Sequence, residues 1–79
     1  MLGIINGLNV VKVKDDSSNT HFIPLDKILD MVIFKEYYAQ GEKSSYRIKI
    51  CLFGGDYIKL GKSFETEGEA EEFLKNLFL

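Results

Sequence analysis

Seventy-nine residues at 9.0 kDa make one domain, covering 1–79, and leave no room for a second. The chain is 46% hydrophobic and 28% charged with one proline, which excludes intrinsic disorder. No apolar run approaches the roughly 20 residues that cross a bilayer, so an integral membrane protein is excluded and no membrane partner is expected. Ten basic against twelve acidic side chains give a net charge of -2, a balance that argues against a dedicated duplex-DNA binder, which neutralises phosphates with a basic excess.

The lone cysteine, Cys51, cannot form an internal disulfide, whereas small secreted domains are usually stapled by several. The reducing cytosol is the expected compartment. A short, compact, cysteine-poor chain of this kind suits a bacterial or phage accessory protein.

Residues 1–8, MLGIINGL, are apolar but lack the basic residue that opens an export signal, since Lys12 comes only afterwards. Gly3 is also not the penultimate glycine of a myristoylation signal. This stretch reads as a strand or a docking segment. Residues 8–14 are β-branched and partly alternating, which predicts a strand. The run Asp15-Asp16-Ser17-Ser18-Asn19 favours a turn, because such side chains bond their own backbone. Residues 20–23 predict a second strand, which must end at Pro24 or lie at an edge, as proline has no N–H to donate. Leu25, Asp26 and Lys27 form the corner.

A third strand is predicted over 31–38, where the four apolar residues Met31 to Phe34 do not alternate and both faces are expected to be covered. A polar loop follows at 40–45. Residues 46–52 give the clearest strand, with apolar side chains at Tyr46, Ile48, Ile50 and Leu52 and cations at Arg47 and Lys49 between them. Gly54-Gly55-Asp56 then turns the chain into a strand at 57–61. A three-residue loop sets Leu52 opposite Ile58 and Ile50 opposite Leu60, keeping the apolar residues on one face. That loop requires Asp56 to adopt a left-handed conformation.

Thr66-Glu67-Gly68-Glu69 is a capping box. Beyond it Ala70, Phe73, Leu74, Leu77 and Phe78 recur at helical spacing and form one apolar stripe. The glutamates at 67, 69, 71 and 72 crowd the positive end of the helix dipole. The expected architecture is therefore α+β: an antiparallel meander of about five strands with one C-terminal helix packed on one face.

No constellation assembles an enzyme. Cys51 lies between Ile50 and Leu52, where a free cysteine behaves as a small hydrophobe, and nothing in the spacing brings His21 to it. One His and one Cys do not supply a zinc site, and Asp15, Asp16 and Asn19 lack the remainder of a calcium loop. Gly61-Lys62-Ser63 ends like a P-loop, but the glycine required five places earlier is Asp56. Asp26 and Asp30 have no evident pocket to shift their pKa values. No catalytic residue, metal or cofactor is expected.

The most informative pattern is charge segregation. Five of the twelve acids lie between Glu65 and Glu72, while Lys35, Arg47, Lys49, Lys59 and Lys62 belong to the last three strands or their ends. If Ile48, Ile50, Leu52, Ile58 and Leu60 face the helix, then Arg47, Lys49, Cys51, Phe53, Tyr57 and Lys59 share the opposite face, and Lys35 and Tyr37 alternate so as to join it. Such a face is basic and aromatic together. It serves a solvated sheet, discourages edge aggregation, or binds single-stranded nucleic acid by stacking and phosphate contacts. Its apolar members, with the apolar chain ends, exceed what a solvated sheet needs and mark an interaction surface. The preferred expectation is a non-enzymatic module that forms a homo-oligomer or docks on another protein; the alternative is a single-stranded nucleic-acid binder.

Overall fold

The chain folds as an α+β domain in a computed structural model that describes residues 2–37 and 44–78. Tyr38 and most of the polar loop expected at 40–45 lie outside them. Six strands appear in place of about five: β1 (Leu2–Ile5), β2 (Leu8–Lys14), β3 (Thr20–Pro24), β4 (Ile28–Glu36), β5 (Ser45–Leu52) and β6 (Tyr57–Lys59), followed by the helix α1 (Glu67–Phe78). The added strand is the opening apolar segment. Asn6 and Gly7 both take positive φ, at 51° and 79°, which is the tight primed turn whose twist matches a two-stranded hairpin.

The strands form two antiparallel three-stranded sheets, β1-β2-β3 and β4-β5-β6, rather than one meander. The break falls where Pro24 ends β3 and a single 3-10 turn, Leu25–Lys27, redirects the chain into β4. β3 and β4 are therefore not hydrogen-bonded neighbours. The end of β2 crosses to the other sheet instead: Asp15 bridges Leu60, the Asp16 N–H donates to the Lys59 carbonyl at 3.1 Å, and the Gly61 N–H donates to the Lys14 carbonyl at 3.1 Å.

One core fills the space between the sheets and α1. Val11, Val13 and Ile23 come from the first sheet, Ile48 and Ile50 from the second, Leu60 and Phe64 from the segment after β6, and Ala70 and Leu77 from the helix. Phe64 rejoins the sheet by exchanging both backbone bonds with Tyr46, and its ring lies 5.3 Å from that of Phe73. At the helix start the Glu69 N–H donates to Thr66 Oγ1 at 3.2 Å, and the Glu69 carboxylate accepts from the Glu65 N–H.

The β5–β6 hairpin keeps a three-residue loop but shifts its register. Ile50 pairs with Ile58, not Leu60, and Lys49 pairs with Lys59. The loop is Phe53-Gly54-Gly55, closed by the Leu52 N–H donating to the Asp56 carbonyl at 2.8 Å. Positive φ falls on Gly54 and Gly55 instead of Asp56, because glycine has no Cβ to clash there. The shift moves every pair by two residues, so each side chain stays on its expected face.

Candidate functional site

The sheet face turned from the helix is built by β4, β5 and β6. Ile48 and Ile50 are fully buried under the helix side and Leu60 nearly so, which sends Arg47, Lys49 and Cys51 outward, with their partners Tyr57 and Lys59. Phe53 lies in the hairpin loop and is exposed. Lys35 and Tyr37 do not join this face. β4 pairs Lys35 with Tyr46, and directly paired residues share a face, so Lys35 lies with Tyr46 on the helix side. Its amine stands 5.4 Å from the Tyr37 ring and 5.9 Å from the Tyr46 ring. Alternation alone had left the phase of β4 open, and its Leu29 bulge settles it.

Glu36 comes to the outer face in their place. Its carboxylate accepts from Arg47 Nη1 at 3.2 Å and from Lys59 Nζ at 2.5 Å, and Arg47 Nη2 donates to the Leu60 carbonyl at 2.8 Å. The Lys59 bond foremost, with the charges of Lys59 and Arg47, holds the Glu36 carboxyl below its usual range against the opposing effect of burial. Arg47 and Lys59 thus share one carboxylate, which ties both in place and leaves the cluster with a net positive charge. Lys49, directly across from Lys59, turns to the Tyr57 ring at 5.4 Å. The sequence separations of 11 and 23 residues hid this triad.

Asp15 and His21 form a second unforeseen pair. His21 Nε2 lies 2.7 Å from Asp15 Oδ2, while Asp15 Oδ1 accepts from the Ser17 and Asn19 N–H groups at 2.9 Å each. These bonds, His21 first, bring the Asp15 carboxyl down to about 2 although partial burial opposes them. An ionised carboxylate only accepts, so the shared proton belongs to Nε2. The visible signal was the turn chemistry of Asp15, since Val13 pairs with His21 and places the imidazole one step from Asp15.

A groove of about 490 Å³ lies between the end of β2, Gly61 and α1. Leu60, Phe73 and Leu77 form its apolar wall, while Lys14 and Lys62 share its rim with Asp15 and Asp16. Lys62 Nζ rests over the Phe64 and Phe73 rings. Among the described residues no group of three or more His, Cys, Asp or Glu side chains is gathered to hold a metal ion, and no helix is long and apolar enough to cross a membrane.

The first sheet presents a different surface. All four residues of β1 are exposed. Leu2, Ile4, Ile5, Leu8 and Phe22 retain 39–71% of their accessible surface, and Gly3 with Val10 floors a shallow apolar groove of about 220 Å³ beside Phe22. No family model matches the chain, and no curated protein or solved structure resembles it significantly. Geometry alone ranks these surfaces. On the outer face of the second sheet Glu36 engages Arg47 and Lys59, whereas the β1 end keeps aliphatic side chains in water, with the Lys12 amine 6.0 Å from the Phe22 ring.

Proposed function

We propose that this protein is a non-enzymatic, cytosolic protein-interaction module that self-associates. The observation that carries the reading is the exposure of Leu2, Ile4, Ile5, Leu8 and Phe22 on both sides of the first sheet, Leu2 and Ile4 on the face of Val11 and the other three on the face of Val10, in a chain only 25 × 21 Å across its shorter axes and 48 Å long. A domain of this size also has little core of its own, and association is a common remedy where disulfides are lacking. The unpaired Cys51 supports a reducing compartment.

Sedimentation equilibrium tests the reading. A mass of twice 9.0 kDa is expected in the micromolar range, and a monomer persisting at high micromolar concentration overturns it. The nucleic-acid alternative retains Lys49 beside Tyr57 as a cation-and-ring pair. It loses weight because Arg47 and Lys59 are already bound to Glu36 and Lys35 lies on the other face.

A further inference from the structure

We propose that the free edge of β1 pairs antiparallel with β1 of a second copy, about a twofold axis at Gly3, joining two three-stranded sheets into one of six strands. The inference rests on the self-association reading and specifies its contact.

The outer edges of the sheets are treated unequally. β3 ends in Pro24 and carries His21. β4 has a bulge at Leu29 and carries Asp30, Lys35 and Glu36. The far side of β6 is met by Asp15 and Asp16. Prolines, bulges and charges are how sheets keep their edges from pairing. β1, with the sequence Leu-Gly-Ile-Ile, has no proline, bulge or charge, and only its shortness limits pairing.

Backbone direction fixes the register. Ile5 and Leu8 flank the two-residue turn, so they exchange both bonds of the hairpin, and Gly3 with Val10 does the same. Leu2 and Ile4 therefore direct their N–H and C=O groups to the open side. Under a twofold axis normal to the sheet, paired residues share a face, so the two residue numbers must sum to an even value. Setting Leu2 against Ile4 uses every outward group: each Leu2 N–H donates to an Ile4 carbonyl and each Ile4 N–H to a Leu2 carbonyl, four bonds in all. The next even register, Ile4 against Ile4, makes two bonds and sets Leu2 against Asn6, whose φ of 51° has already left the strand.

The chosen register brings the two Gly3 residues face to face. Among the described residues nothing requires glycine there: its φ is not positive and a Cβ would meet no atom within 4 Å. A glycine inside a strand packs no side chain of its own and weakens the strand of a single copy, where its backbone is paired with Val10. On the face shared with Val11, the Leu2 and Ile4 side chains of both copies meet and cover Ile4, which is 71% exposed in a single copy. An uncharged apolar strand is the required partner, and the chain supplies one whose groups match without remainder.

The test uses Ile4→Pro, which removes an outward N–H and no bond of the β1–β2 ladder, together with Ile4→Lys, which leaves the backbone intact. Both are expected to weaken dimerisation at least about tenfold, the loss of two hydrogen bonds or of a buried apolar pair, with unchanged far-ultraviolet circular dichroism. In the natural chain, amide exchange at Leu2 and Ile4 is expected to slow with rising concentration while Gly3 and Ile5 do not respond. A dimer that survives both substitutions, or Leu2 and Ile4 amides indifferent to concentration in a dimeric sample, overturns the strand pairing and leaves self-association standing. A monomeric natural chain overturns both.

Discussion

Asp15 holds three partners at once: the His21 imidazole and the backbone N–H groups of Ser17 and Asn19. Its carboxyl is lowered to about 2 in the folded chain, below the roughly 3.9 of an unfolded aspartate. Stability from a lowered carboxylate is present above the unfolded value and disappears as pH falls through the folded one. The natural chain should therefore lose melting temperature between about pH 4 and pH 2, and Asp15→Asn should flatten the curve in that window, as measured by thermal unfolding at stepped pH. A natural chain with the same slope as Asp15→Asn contradicts this. The turn role of Asp15 was legible because it is local. The bonds of Glu36 to Arg47 and Lys59 were not, since they depend on the phase of β4, and the non-alternating run Met31 to Phe34 carries no phase.

Among the elements, α1 was the most legible, because its cap and stripe lie within consecutive residues. The Thr66 hydroxyl accepts from the Glu69 N–H, and Thr66→Ala should lower stability by about 1 kcal/mol, read as a shift of the denaturant midpoint with the slope unchanged. An unshifted midpoint would mean that water replaces the hydroxyl there. The β5–β6 loop was legible in length and face but not in register, since both placements keep parity and only the preference of Gly54 and Gly55 for positive φ separates them. β1 shows the reverse problem. Its apolar run does not alternate, and two readings stood open until the Asn6-Gly7 turn gave it a partner in β2.

At the scale of the molecule, the division into two sheets was hidden because their seam joins residues 45 positions apart, Asp15 and Leu60. Gly61 makes the seam possible, as a Cβ there would come within 2.7 Å of the Asp15 carbonyl oxygen. Gly61→Ala must push two backbones apart and should cost about 1–3 kcal/mol. Faster exchange of the Asp16 and Gly61 amides, the donors across the seam, is the local signature, and full protection there would refute the steric account.

The Asn6-Gly7 turn has one more consequence, in time rather than in space. A hairpin closed by two residues forms within microseconds, whereas the seam and the Tyr46–Phe64 bridge await encounters between distant parts of the chain. The bare edge is thus displayed while most of the molecule is still unstructured. Crowded refolding will expose nascent chains to one another through that hairpin first, so yield should depend on how dilute the chains are when folding begins.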